Sequence, residues 1–376
     1  MRTTVVVCVA LFGLLAMACS SSNASEAVDP AALQPIVDAW AEANDMSVLA
    51  VSVRSPSGSV TSVGYSAEGD TPDDRSLFIT GSLGKTMMAA TTLLLVEDGV
   101  LDLDEPIERW LPEFPRANEI TLRQLLSHTA GLTDRRPESD LDPGPESLER
   151  YEEGRTPAEL LAEAANVVSE ASLPAQHSYS TASFWAAGAV IESATGESLA
   201  DVMQVRVFEP LGMDDSHLDW PGAIDQALVE GELTLPSGEV IPLGTEIIPD
   251  IMSAGWGPGG VLSSARDVAV FYGALFDDLL APESVEAMTS TTPESESYGL
   301  GIGTRRWAAD TAGWGHGGAT LGYSSEAGVT DDGWTVAVLT NHFDLASGGQ
   351  MPDPNGLVGE VLRHVGGETR SSDAAE

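Results

Sequence analysis

Lys85 is the single lysine among 376 residues, against sixteen arginines, and it stands three places after Ser82 in FITGSLGKTMMAATTLLLVEDG. Arginine supplies the positive charge everywhere else, so surface solvation does not explain an amine at this one position. A guanidinium stays protonated, whereas a desolvated lysine can give up its proton and act as a base. The good helix formers after Ser82 and the stop at Gly99 predict a helix that opens at the serine. Residues i and i+3 share a helix face, so the hydroxyl and the amine can meet. The N-terminus of such a helix offers unpaired N–H groups and a positive dipole end, which suit an oxyanion at Ser82. A serine beside a base is an arrangement for acyl transfer. Serine is common, however, and the pair alone decides nothing.

Two further stretches carry groups that could join it. HSYSTASFW places Tyr179 and Thr181 just ahead of a second helical run. GWGHGGATLGYSS sets His316 in a strand bracketed by glycines, where backbone can approach a ligand closely. Read singly, each is ordinary: a tyrosine before a helix is usually a half-buried core residue, and a histidine among glycines a turn residue. Taken with Ser82 and Lys85, they resemble the serine β-lactamase and penicillin-recognising superfamily, whose signatures are S-x-x-K, Y-x-N and K/H-x-G. The resemblance runs over residues 30–366 and includes GVLDLDEPIERWLPEFP, ITLRQLLSHTAGL, VFEPLGMDDS, GGVLSSARDVAVF and YGLG in family order. The branch it looks like holds class C β-lactamases, D-alanyl-D-alanine carboxypeptidases, and related esterases and D-amino-acid peptidases.

That resemblance implies roles. Ser82 would be the acylated nucleophile and Lys85 would hold or take its proton. Tyr179 would protonate the leaving group and later activate water. His316 would fill the strand position of a lysine and steer a substrate carboxylate, Gly318 would keep the strand backbone accessible, and the N–H groups of Ser82 and Ala319 would form the oxyanion hole. Y-x-N reads Tyr179-Ser180-Thr181 here, so a hydroxyl replaces the amide that in the family touches both the lysine and the substrate. Thr181 can bond to one of these, which weakens the case for β-lactam or peptide turnover more than that for acylation. His128 in LLSHTAGL belongs to a stretch that the resemblance makes structural. The chain holds no H-E-x-x-H, no complete calcium loop and no G-x-S-x-G elbow, so neither a metal nor an organic cofactor is indicated.

The elements that must position these groups read as follows. PAALQPIVDAWAEAN has helical spacing, and VLAVSVRS and SVTSVGYS alternate about a turn as a β-hairpin. Helical or loop-rich sequence dominates residues 86–290, strand patterns return after residue 297, and NGLVGEVLRHVGG closes with a helix. The expected fold is α+β: an antiparallel sheet assembled from distant segments and flanked by helices, plus a mainly helical subdomain, with the site between them. The acidic stretch 134–157 reads as a long surface loop and 367–376 as a flexible tail.

The envelope is exported and acidic. Residues 1–18 read as a signal segment ending in AMA, followed by Cys19 at a lipoprotein-type position before a linker over 20–29. Ala16 and Ala18 also satisfy ordinary signal cleavage, in which case the protein is secreted or periplasmic. Cys8 and Cys19 are the only cysteines, so the folded domain has no disulfide. A net charge of −41 repels nucleic acid and anionic headgroups, leaving a small molecule or peptide as partner and an N-terminal lipid as the one membrane contact. The expected enzyme is a monomeric serine hydrolase acting on D-alanyl-D-alanine-type peptides or related amides. Small-ester hydrolysis, β-lactam hydrolysis and a non-catalytic peptidoglycan sensor follow in that order.

Overall fold

The computed structural model describes residues 27–133, 154–219, 228–308, 311–345, 351–352 and 354–373. The signal segment, Cys19 and most of the linker lie outside the described residues, as does most of the acidic stretch 134–157. In chain order the elements begin α1 (Pro30–Ala43), β1 (Val48–Arg54), β2 (Val60–Ser66), β3 (Leu77–Ile79), α2 (Leu83–Glu97) and α3 (Leu122–Leu126). They continue with α4 (Pro157–Asn166), α5 (Thr181–Thr195), α6 (Leu199–Met203), β4 (Gly231–Thr234), β5 (Val240–Leu243), α7 (Ile248–Gly259), β6 (Leu262–Ser264) and α8 (Ala265–Asp277). The C-terminal part holds α9 (Pro282–Thr289), β7 (Gly303–Ala308), β8 (Thr311–Thr320), β9 (Tyr323–Thr330), β10 (Thr335–Thr340), β11 (His342–Asp344) and α10 (Pro354–Asp373).

The N-terminal hairpin and the C-terminal strands join in one antiparallel sheet ordered β2-β1-β10-β9-β8-β7. Val51 faces Val338 across the β1–β10 seam, and Val53 faces Val336. On one side of the sheet these valines pack with Leu33 and Val37 of α1 and Val358 and Val361 of α10, all buried. Full burial of each such side chain is worth about 1.5–3 kcal/mol, so the seam is held by its side chains as well as by its hydrogen bonds. The sheet expected from distant segments is therefore present, and its closing helix runs on to Asp373.

Helices α2 and α8 cover the other side, within a larger apolar cluster that also takes in α3, α5 and α7. The stretch 86–290, read as mainly helical, also contains the β4–β5 hairpin, which pairs with β11, and strand β6, which pairs with β3. Its α8 packs on β1 and β10 and so belongs to the sheet half. The reason is visible in burial: Val268, Phe271, Tyr272 and Leu275 of α8 are fully buried against the sheet, a face the local sequence could not assign to a partner.

Helix α2 is the element that matters for the site. From Leu83 to Leu93 every residue is buried, so its register is set by neighbours on all sides. Gly84 is required, because a Cβ there would collide with the carbonyl oxygen of Gly257. Thr91 and Thr92 return their hydroxyls to the carbonyls of Met87 and Met88, each at 2.9 Å, so the buried helix leaves no hydroxyl stranded.

Candidate active site

Ser82 is the N-cap residue of α2, yet its side chain makes no capping bond. Its hydroxyl is turned instead to Lys85, whose Nζ donates to Ser82 Oγ at 3.1 Å. The same Nζ donates to Thr181 Oγ1 at 3.4 Å, joining the start of α2 to the start of α5. Lys85 is 1% exposed, and among the described residues no carboxylate pairs with it. The buried amine therefore bonds to two hydroxyls, and the one-turn spacing accounts for the contact with Ser82.

Tyr179 lies immediately before the Ser180 N-cap of α5, with its ring centroid 4.9 Å from Lys85 Nζ. It is 40% exposed, unlike the buried lysine beneath it. Ser180 N–H donates to His128 Nδ1 at 3.1 Å, and Ser178 N–H donates to the His128 carbonyl at 3.0 Å. His128, outside the expected site, thus touches the chain on both sides of the tyrosine.

Strand β8 supplies the opposite wall. Strand β7 pairs with it only as far as Gly303 opposite Gly315, so residues 316–320 are not covered by β7. Gly81, with φ of +55°, and Ser82 lie directly against this segment. A Cβ on Gly81 would stand 2.7 Å from Ala319 N, and one on Gly318 would stand 3.0 Å from Ser82 N. The backbone around Ser82 is thereby in close contact with that around Ala319, as a pair of oxyanion donors from these two residues would require. Ser325 Oγ donates to the Thr80 carbonyl at 2.7 Å and ties β9 to the backbone leading into the nucleophile.

His316 is placed at the site, with its ring centroid 6.0 Å from that of Tyr179, but its chemistry differs from expectation. The imidazole is buried, and its Nδ1 lies 2.5 Å from the Gly317 carbonyl while Nε2 lies 2.9 Å from Tyr298 Oη. A carbonyl only accepts, so Nδ1 carries the proton and Tyr298 O–H donates to Nε2. Burial, with Arg305 and Lys85 nearby, pushes the ring down from the usual 6.5 to about 3. Both ring nitrogens are thus engaged within the protein, and burial disfavours the cation.

Tyr298 is the residue that the sequence reading missed. It opens the YGLG stretch, but nothing local in the sequence says that its phenol meets a histidine eighteen positions away. Gly301 of the same stretch packs against α2 at Lys85 and Ala89, and its carbonyl accepts from Thr86 Oγ1 at 2.7 Å. On the far side of β8, Arg305 Nε donates to the buried Glu326 at 2.9 Å, and a side chain at Gly317 would run into that pair. Among the described residues no group of three or more His, Cys, Asp or Glu is placed to hold a metal.

Comparison with known proteins agrees with this architecture. Residues 34–359 match the beta-lactamase family. The chain is 28% identical over 288 residues to penicillin-binding protein 4 of Amycolatopsis lactamdurans, covering 73% of this chain and 68% of that protein, and it spans 53% of the length of two other curated relatives. Among solved structures it resembles a D-stereospecific amidohydrolase from Streptomyces sp., at 29% identity and a TM-score of 0.71 over 84% of this chain and 94% of that one. The D-amino acid amidase of Ochrobactrum anthropi SV3 has the same fold, at 24% identity and a TM-score of 0.75 over 90% and 99% of the two chains. A buried lysine on a helix-opening serine, in a fold and a sequence that both match over most of their length, makes this chain a serine hydrolase of the beta-lactamase family.

Proposed function

We propose that the enzyme hydrolyses amides of D-amino acids or similar acyl donors that carry no carboxylate beside the scissile bond. The observation behind this is the burial of His316 and the engagement of both its ring nitrogens within the protein. The strand position that would present a cation to a substrate carboxylate presents an imidazole held by Tyr298 and Gly317. A terminal carboxylate entering there would be desolvated without a counter-charge from that residue, which is costly. The 29% identity to a D-stereospecific amidohydrolase supports the same substrate class.

The steps follow from the placement of each group. Ser82 Oγ attacks the carbonyl carbon as Lys85 Nζ takes its proton, and the oxyanion forms between the N–H groups of Ser82 and Ala319. Collapse breaks the bond to the leaving amine, which takes a proton from Tyr179, and an ester remains on Ser82. The tyrosine, now ionised, removes a proton from water, attack of the resulting hydroxide on the ester releases the acid, and Lys85 returns its proton to the departing Ser82 Oγ. Thr181 Oγ1 accepts a second hydrogen bond from Lys85 Nζ and helps to hold it beside Ser82.

A second reading, hydrolysis of small esters, is favoured by one residue. Thr181 lacks the carboxamide that would grip a substrate amide, and an ester has no such need. The two readings separate in the ratio of kcat/KM for D-phenylalanine amide, D-alanyl-D-alanine and p-nitrophenyl butyrate, with a chromogenic cephalosporin as the β-lactam. The amide or the ester should exceed the free-carboxylate dipeptide at least tenfold. Equal or better turnover of the dipeptide would refute the argument from His316.

A further inference from the structure

His128 touches the Tyr179 segment three times. Its carbonyl accepts from Ser178 N–H at 3.0 Å, its Nδ1 accepts from Ser180 N–H at 3.1 Å, and its ring lies 4.4 Å from the Tyr179 ring. The two hydrogen bonds bracket the tyrosine in the chain. The residue itself is 1% exposed and has φ of +59°, a left-handed conformation that histidine adopts only with help from its surroundings. Around the ring stand Tyr298 at 4.8 Å, Phe184 at 5.3 Å and His177 at 5.5 Å, so it cannot swing away.

The hydrogen bond from Ser180 also fixes the ring's state. An Nδ1 that accepts a proton donor carries no proton, so the neutral ring holds its proton on Nε2, and among the described residues that atom is buried with no hydrogen-bond acceptor. A protonated ring would set an N–H against the Ser180 N–H. Burial, together with the nearby Lys85, acts in the same direction and keeps the ring neutral. A half-exposed tyrosine between a loop and a helix has several rotamers open to it, and a misaimed phenol cannot pass a proton at the right moment.

We propose that His128 is a positioning residue that aims Tyr179 at the leaving group through the Nδ1 acceptor. This rests on Tyr179 being the proton donor to that group. A merely structural histidine would affect all substrates alike, whereas one that aims the acid matters only when the leaving group needs a proton. Ethyl butyrate and p-nitrophenyl butyrate share an acyl group, but ethoxide must be protonated and p-nitrophenolate leaves as a stable anion.

The test is kcat/KM for both esters, with thermal unfolding to confirm folding. Tyr179→Phe should lose about a hundredfold or more on the ethyl ester, the usual size of general acid catalysis, and far less on the p-nitrophenyl ester. His128→Ala should lose at least tenfold on the ethyl ester and less than threefold on the other. His128→Phe, which keeps a ring and lacks the acceptor, should behave in the same way, and either variant suffices if the other does not fold. His128→Asn keeps an acceptor and tolerates a positive φ, so its ratio of the two rates should stay within threefold of wild type. In the Tyr179→Phe background, His128→Ala should add less than threefold. Equal losses on both esters, a full His128 effect without Tyr179, or an asparagine variant as impaired as alanine would overturn the proposal. A Tyr179→Phe variant without leaving-group dependence would overturn it too, but through the tyrosine, and is recognisable because His128 is then untouched.

Discussion

Adding a single methyl group to Gly318 should disable the oxyanion hole without unfolding the protein. A Cβ at this position would fall well inside contact distance of the Thr80 carbonyl oxygen and Ser325 Oγ, and 3.0 Å from Ser82 N. The Thr80 backbone cannot yield, since its N–H donates to the Val261 carbonyl at 2.8 Å and its carbonyl holds Ser325. Strand β8 must therefore retreat by roughly an ångström, carrying the neighbouring Ala319 N–H away from Ser82. Loss of one oxyanion donor costs about a hundred- to a thousandfold in kcat, or about 3–4 kcal/mol. Overpacking at one buried site costs about 1–3 kcal/mol of stability, which a domain with about 5–15 kcal/mol in hand survives. The assay is kcat and kcat/KM of Gly318→Ala on p-nitrophenyl butyrate beside its thermal unfolding curve. Because the donor acts in the transition state, both constants should fall together. A folded variant with kcat within threefold of wild type would refute the placement of the oxyanion hole.

Four further outcomes follow from the same geometry. Ser82→Ala should abolish hydrolysis and covalent labelling by an active-serine reagent while leaving the unfolding midpoint nearly unchanged, since the hydroxyl caps nothing; residual turnover would remove the nucleophile assignment. Lys85→Arg should lose activity by orders of magnitude, because a guanidinium keeps its proton and its fork does not fit the site of a buried Nζ; near-normal rates would mean that charge alone is needed. A His316 cation titrating at its ordinary value would make a carboxylate substrate lose kcat/KM between about pH 6 and 8 relative to a neutral one. With the folded ring pushed down from 6.5 to about 3, the two profiles should instead run parallel there. The unfolded chain binds a proton at His316 below 6.5 and the folded one does not until about 3, so this group costs stability as pH falls through that interval. The stability advantage of wild type over His316→Asn should shrink on acidification from pH 6.5, measured by urea unfolding at several pH values, and a constant difference would contradict the buried neutral ring.

What the sequence determined by itself lies within one turn of helix or one strand. Ser82 and Lys85 are three residues apart in a run that can only be a helix, and the i, i+3 rule brings their side chains together before any tertiary contact exists. The alternation of β1 and β2, and the glycines flanking His316, were legible for the same reason, since strand and turn conformation are read over a few residues. The charge state of His316 was not legible, because it depends on desolvation and on a phenol delivered from the far side of a turn by Tyr298. The role of His128 was likewise hidden, since Ser180 lies 52 positions away and only the packing of α3 against α5 brings the two together. Thr181 reaches Lys85 across 96 positions, and β1 meets β10 across the whole domain. Local spacing sets which groups can share a face, but a pKa or an aimed proton depends on which partners, from anywhere in the chain, exclude water around it.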